Sequence, residues 1–195
     1  MGKLVVSENV TLDGVVQDPT GDEGSGLGGW FGRVSAADQE VFTKVKFEEA
    51  LDSAAVLFGR RSYEWFAARW TSRPGEWADR LRSLPKYVVS STLRDPGWAN
   101  STVLAGDVPA EVARLTRAVD GDVVVYASGQ LVRTLLTHDL VDEVRLVVYP
   151  FVLGAGDRLF GPLDGGRRLR LRDTRPLGDD LAAVTYAVDR PGPNP

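Results

Sequence analysis

The sequence predicts an α/β protein built on a mostly parallel sheet, with an antiparallel edge made from its C-terminal part. Three observations carry that expectation. Short apolar runs alternate with stretches of helical period through the first two thirds of the chain, as strands and helices do in parallel-sheet proteins. The last third changes to consecutive strands with little room for helices between them. Finally, 195 residues with 43% hydrophobic and 26% charged content suffice for one core without disulfides or metals. A single domain is expected over residues 1–190, with a disordered tail at 191–195 on composition.

Lys3–Val10 reads as the first strand, followed by a turn at Asp13-Gly14 and a brief strand at Val15–Val16. Residues 17–34 are polar and glycine-dense and end in Trp30-Phe31, a loop long enough to be functional or disordered. Gly24, Gly26 and Gly29 satisfy G-x-G-x-x-G, but no buried strand precedes them, so they read as a flexible loop. Ser35 and Asp38 form a capping box that opens a helix with Val41, Phe42, Val45 and Leu51 as its apolar positions. Ala54–Phe58 is a strand apolar on both faces, and the next helix carries Tyr63, Phe66 and Trp70. Strands follow at Lys86–Ser91 and Thr102–Leu104, then a helix with Val112, Leu115 and Val119 on one face. Asp122–Tyr126 is a strand and leads into a helix with Leu131, Val132, Leu135 and Leu136. Val144–Tyr149, Arg168–Asp173 and Leu181–Val188 are the closing strands.

Composition narrows the function. With no cysteine there is no disulfide, thiolate metal site or cysteine nucleophile, and one histidine, His138, makes a multi-histidine metal site improbable. His138, Asp139, Asp142 and Glu143 are ligand types, but they fall at element ends where solvated charge is normal, so no metal is assigned. A net charge of −4 argues against a nucleic-acid surface. No run of about 18 apolar residues exists and the first residues do not read as a signal peptide, so a cytoplasmic protein without membrane contact is expected. Trp65, Trp70 and Trp77 read as core or loop anchors.

Two strand-to-helix junctions carry chemistry. At Phe58-Gly59-Arg60-Arg61-Ser62 the free N–H groups of a helix start favour an anion, Ser62 adds a hydroxyl, and the arginines can clamp a phosphate. Two arginines there oppose the helix dipole, a conflict that a bound anion resolves. At Tyr126-Ala127-Ser128-Gly129-Gln130 small residues let a diphosphate lie against the backbone. Each junction also reads as an ordinary turn, the second with a serine N-cap. Both together, beyond the carboxyl ends of strands in one small α/β domain, favour nucleotide binding.

These features, in this order, resemble the dihydrofolate reductase-like superfamily. The closer match is the C-terminal reductase domain of bifunctional riboflavin-biosynthesis enzymes and its stand-alone relatives. The resemblance runs from Lys3 to Val188 and rests on Thr11-Leu12-Asp13-Gly14, Leu57–Tyr63, Val88–Leu93, Ser128-Gly129-Gln130-Leu131, Leu140–Glu143 and Pro150–Phe160. It implies a three-layer fold with helices on both faces of the sheet, and an NADPH-dependent reductase. By that resemblance Gly59, Arg60, Arg61 and Ser62, with Ser90 and Thr92, flank the adenosine 2′-phosphate and ribose. Ser128, Gly129, Gln130 and Leu131 hold the pyrophosphate, and the nicotinamide lies at the end of the first strand. Ala127 stands where a glycine is common, and the zinc deaminase domain of the bifunctional enzymes is not expected.

For the proton source the candidates are Asp38, which doubles as the capping-box partner of Ser35, and Asp13, which doubles as a turn residue. Trp30 and Phe31 are candidates to cover a planar small-molecule substrate, a pterin- or pyrimidine-like heterocycle or a carbonyl compound. A non-catalytic nucleotide-binding module and a reductase using a flavin-type cofactor in the same cleft remain open. The resemblance and the apolar Val144–Leu153 run suggest a homodimer.

Overall fold

The computed structural model describes residues 2–161 and 166–189; the tail expected at 191–195 lies outside them. The strands are β1 (Lys3–Thr11), β2 (Ser53–Gly59), β3 (Lys86–Val89), β4 (Ser101–Leu104), β5 (Asp122–Tyr126), β6 (Glu143–Tyr149), β7 (Leu169–Leu177) and β8 (Leu181–Val188). The helices are α1 (Ala36–Asp52), α2 (Arg60–Trp70), α3 (Glu76–Ser83), α4 (Val108–Ala118) and α5 (Gly129–Thr137). All strands join one sheet in the order β4-β3-β2-β5-β1-β6-β8-β7. The six from β4 to β6 are parallel, and β8 runs antiparallel to both β6 and β7. This is the expected α/β architecture.

The chain leaves β1, works outward through β2, β3 and β4, and returns through α4 to insert β5 beside β1. That reversal brings the carboxyl ends of β1, β2 and β5 together on one edge, where parallel sheets open a crevice. Val112, Leu115, Leu131 and Leu135 of α4 and α5 cover one face, against Leu4, Val6, Val123 and Val125. On the other face Tyr63 of α2 and Leu81 of α3 pack on Val5, Val56 and Val124. Val41 and Val45 of α1 and the 3-10 turn Trp30–Arg33 pack over Tyr149 and Leu181.

Four local departures from the sequence reading have physical causes. The α3 helix was not expected, because EWADRLRS is short and polar; it is fixed from outside, Arg80 donating to the carbonyls of Ala50 (2.9 Å) and Ser53 (2.8 Å). Strand β3 stops at Val89 rather than Ser91 because the Ser90 hydroxyl accepts the N–H groups of Thr92 and Leu93 and turns the chain. Strand β7 continues past Asp173 to Leu177 through Pro176, which an edge strand tolerates. Val15–Val16 forms no strand, only a single bridge from Val15 to Arg158.

The glycine-rich loop is not flexible chain but is wound around Asp18. Its carboxylate accepts the N–H of Glu23 (2.9 Å), the N–H of Ser25 (3.1 Å) and the Ser25 hydroxyl (2.9 Å), and its carbonyl accepts from Gly21 and Gly29. Gly28 has no room for a side chain, since a Cβ would fall 2.3 Å from the Asp18 carboxylate.

Asp38 holds a similar post at the start of α1. The capping box is complete: the Ser35 hydroxyl accepts the Asp38 N–H (3.0 Å) and the Asp38 carboxylate takes the Ser35 N–H (3.3 Å). The same buried carboxylate accepts the N–H groups of Asp179 (2.7 Å) and Asp180 (3.3 Å), tying α1 to the β7–β8 turn. Gly178 in that turn, at φ 65, is pressed so close that a Cβ would lie 3.0 Å from the Asp38 Cα. The Ser35 hydroxyl, then the Asp179 and Asp180 N–H groups, outweigh burial and hold the carboxyl below its ordinary range. A carboxylate held low stabilises the fold above its unfolded pKa, and that contribution is lost as pH falls through its folded pKa. Asp38→Asn is therefore expected to lower Tm by about 5 °C at pH 7, with the gap narrowing as pH falls below the ordinary carboxyl range; calorimetry showing the same gap at pH 7 and in acid would refute the clamp.

Candidate functional site

A cleft of about 1980 Å³ runs along the carboxyl edge of β1, β2 and β5. Its first half is made by the two junctions, and one hydroxyl joins them. The Gly59 N–H donates to Ser128 Oγ (2.9 Å), and that hydroxyl donates to the Tyr126 carbonyl (3.0 Å). Neither α2 nor α5 receives a side-chain cap, so the N–H groups of both helix starts are left for the cleft that Gly59–Ser62 and Ala127–Leu131 line. Ser128 thus stands at the N-cap position of α5 without its hydroxyl capping the helix.

To reach Gly59, both Ala127 (φ 49) and Ser128 (φ 70) take left-handed backbone. For alanine this costs about 1 kcal/mol, which accounts for the glycine expected there. Gly59 itself has φ −74, open to any residue, and a Cβ would sit in ordinary contact 3.7 Å from Ser128. Glycine there leaves space; its conformational freedom is not used.

Arg60 lies across the mouth of this half, its Nε donating to Glu64 (2.7 Å) and its guanidinium also bonding the Thr92 hydroxyl. Thr92 is itself held by the Ser90 turn, so Arg60, Ser90 and Thr92 meet as the sequence reading placed them. Arg61 is 86% exposed and 3.9 Å from Glu23 of the glycine-rich loop. Ser62 and Gln130 line the cleft; Leu131 does so too but is mostly buried in the core.

The second half is aromatic. Phe31 lines it, packed edge-on against Phe42 at 5.1 Å, whereas Trp30 is fully buried against Tyr149 and donates to the Gln17 carbonyl (3.1 Å). Trp30 therefore does not face the cleft. Trp70 and Trp77 pack against the core as the sequence reading expected, and together with Trp65 they also line this half. Arg69 stacks over Trp65 at 4.1 Å and pairs with Asp22 of the loop (2.6 Å), while Arg73 covers Trp70 at 4.7 Å.

Neither carboxylate proposed as a proton source lines the cleft. Asp38 is spent on the clamp above. Asp13 accepts from the Thr11 hydroxyl (2.6 Å) and the Gly154 N–H (2.9 Å), which hold it at about 2, and it fixes the segment after β6 to the end of β1. His138, Asp142 and Glu143 are likewise structural: His138 bonds the Thr134 carbonyl, Asp142 accepts the Leu4 N–H, and Glu143 pairs with Arg145.

The floor instead presents Ser7, Glu8 and Asn9 of β1, which the sequence reading passed over. The signal was there: three consecutive polar residues interrupt a central strand otherwise buried on both faces. Burial raises the Glu8 carboxyl to about 7, against one long hydrogen bond from the Asn9 N–H (3.3 Å) and the charge of Lys46. On α1, Lys46 Nζ reaches the Ser7 hydroxyl (2.5 Å) and Glu49 (3.3 Å), and Glu49 accepts from Ser7 (2.8 Å). Burial would raise Glu49, but Lys46, the Ser7 hydroxyl and Arg145 together hold it low.

The model of the family described as RibD C-terminal domain matches residues 2–183. The chain is 33% identical over 176 residues to the uncharacterized protein YwjB of Bacillus subtilis, covering 90% of this chain and 92% of that protein. A putative riboflavin biosynthesis protein from Shewanella superposes with a TM-score of 0.70 at 20% identity, over 96% of this chain and 99% of that one. Dihydrofolate reductase from Enterococcus faecalis, solved with NADP(H), superposes with a TM-score of 0.57 at 12% identity over 96% and 97%. The fold is dihydrofolate reductase-like.

Because the folded pKa of Glu8 lies above its unfolded value, the native state keeps a proton that the unfolded chain releases from about pH 4.5 upward. Stability then falls as pH rises through that window to 7. Glu8→Gln should match wild type at pH 4 and exceed it at pH 8 by up to about 3 kcal/mol. Urea denaturation at the two pH values measures this; an equal difference at both would remove the assignment.

Proposed function

The chain belongs to the RibD C-terminal domain family, and from that premise we propose that it is an NADPH-dependent reductase of a small planar heterocycle, pterin- or pyrimidine-like. One observation carries the reading: the Ser128 hydroxyl draws two uncapped helix starts onto one cleft, with a guanidinium at its mouth. Two such starts suit a ligand with two separated phosphate groups.

The residues present fit that cofactor. Arg60, with Ser90 and Thr92 beside it, would hold the 2′-phosphate through forked, charge-assisted hydrogen bonds. The N–H groups at Gly129–Leu131 would take the diphosphate, and the end of β1 would border the nicotinamide. When bound, the nicotinamide supplies a hydride; the protein orients the partners and excludes water. The aromatic half, with Phe31 at its side, offers ring faces to a flat substrate. A second reading is favoured by the structural use of Asp13 and Asp38: a nucleotide-binding module without turnover. NADPH consumption with a panel of pterins and pyrimidines separates the two.

Leu12 (68% exposed) and Val152 (68% exposed) adjoin, the Leu12 N–H bonding the Phe151 carbonyl, and Phe160 is also exposed. We propose that this patch pairs two copies of the chain as a homodimer. Light scattering should give twice the monomer mass, reverting to one in Leu12→Asp/Val152→Asp; a monomeric wild type would rule the dimer out.

Arg60→Ala should weaken NADPH binding about 30-fold, the loss of a charge-assisted pair, and change NADH binding much less. Arg61→Ala, being at an exposed site, should have a smaller effect. Equal losses for the two nucleotides, read by quenching of the cleft tryptophans, would defeat the 2′-phosphate assignment.

A further inference from the structure

Glu8 is a buried acid at the floor of the cleft that the reductase reading leaves unused. It is 9% exposed and lines the cleft. Leu4, Val6 and Val10 of the same strand pack with Leu131 and Leu135 of α5, and by the alternation of a strand Glu8 leaves β1 on that face. It breaks an apolar stripe that lies under α5. Register sets its place along the strand: Ser7 pairs with Tyr126 of β5, so the next residue, Glu8, comes abreast of Ala127 in the second junction. Val16 closes the same corner, since a Cβ on Gly129 would meet its Cγ2 at 3.6 Å.

The other acids around the cleft are paired, satisfied or in water. Asp22, Glu23 and Glu64 pair with Arg69, Arg61 and Arg60. Asp18 takes the N–H groups of Glu23 and Ser25, and Glu40, Glu76 and Asp157 are exposed. Glu8, among the described residues, accepts one N–H, that of Asn9 at 3.3 Å. Of the charged groups on the elements around it, Lys46 of α1 favours its ionised form. Arg133 of α5 is turned to the Arg158 carbonyl (3.0 Å), and β6 sets Leu146 beside it. Burial is the larger effect and raises the carboxyl to about 7. An acid so poorly supplied in a central strand costs stability that an apolar residue would not. Beside a ligand-binding junction, a cationic partner gives a reason to keep it.

A pyridinium is such a partner. The oxidised nicotinamide ring carries a positive charge and the reduced ring none, while the two nucleotides share every phosphate. We propose that Glu8 is the residue by which this cleft distinguishes the oxidised from the reduced cofactor: its carboxylate pairs with the cationic nicotinamide of NADP⁺ and gains nothing from the neutral ring of NADPH. The inference rests on the reductase reading for the nicotinamide at the end of β1. Binding of NADP⁺ then draws Glu8 into its ionised form and its proton leaves to solvent, whereas binding of NADPH leaves the proton in place. A neighbouring opposite charge lowers a carboxyl pKa by about 1–3, enough to empty Glu8 at neutral pH. Affinity for NADP⁺ therefore rises with pH until free Glu8 is itself ionised, at about 7, and levels off above it. Affinity for NADPH does not follow.

Calorimetry in two buffers of different ionisation enthalpy counts the protons. NADP⁺ and NADPH are each titrated into the full chain at pH 6.5 and pH 8.5, with wild type and with Glu8→Gln. For a carboxyl pKa lowered by about two, wild type should release about 0.7 of a proton more with NADP⁺ than with NADPH at pH 6.5, and almost none more at pH 8.5. Its preference for NADP⁺ should grow about fourfold between those pH values. Glu8→Gln should show neither difference. The 2′-phosphate titrates alike in both nucleotides and cancels in the comparison. Equal proton release for the two nucleotides in wild type, or a difference that persists in Glu8→Gln, overturns the proposal and leaves the reductase reading standing. Absence of binding by both nucleotides overturns the reductase reading and the proposal with it.

Discussion

The Ser128 hydroxyl, between the Gly59 N–H and the Tyr126 carbonyl, is the contact on which the cleft depends. A serine at a helix start ordinarily caps its own helix. Here it is turned away by two successive left-handed residues and closes the gap between β2 and β5 instead. The N–H groups it would have satisfied remain open, as do those of α2. Strain at Ala127 is thereby exchanged for two helix starts aimed at one volume, as strained backbone at ligand sites commonly is.

The carboxylates divide along the same principle. Asp13, Asp18 and Asp38 each accept several N–H or O–H donors, are held low, and fix loops around the cleft without entering its chemistry. Glu8 has almost no donors and is pushed up, while Glu49 is kept low by the lysine and arginine on either side of it. Acid strength in this protein is a balance of burial against donors and neighbouring charge: burial prevails at Glu8, charge and donors together at Glu49, and donors at the three aspartates. The acids that the sequence offers as proton sources are thus tied into the scaffold, and the polar character of the aromatic half comes from β1 and α1.

The loop between β1 and α1 connects these parts. Wound on Asp18, it sends Asp22 to Arg69 and Glu23 toward Arg61, so that one polar segment spans from the aromatic half to the half made by the two junctions. Its glycines serve this winding: Gly28 lies against Asp18 with no room for a Cβ.

The sequence by itself determined the alternation of strands and helices, the capping box at Ser35 and the two junctions, whereas the meeting of Arg60 with Ser90 and Thr92 followed only from the family resemblance. These depend on local periodicity, on capping chemistry and on motif order, all of which are written in neighbouring residues. Only the tertiary structure decided which polar groups were free. Asp38 is occupied by a turn 141 residues away, Ser128 by a strand end 69 residues away, and Lys46 is set at the cleft by Ser7, 39 residues distant. The short α3 helix escaped the sequence for the same reason, its partner at Ala50 lying 30 residues away; the Pro176 end of β7 escaped it because a proline reads as a strand breaker, which an edge position tolerates. A side chain's chemistry is fixed by what satisfies it, and that is settled by packing, not by its neighbours in sequence.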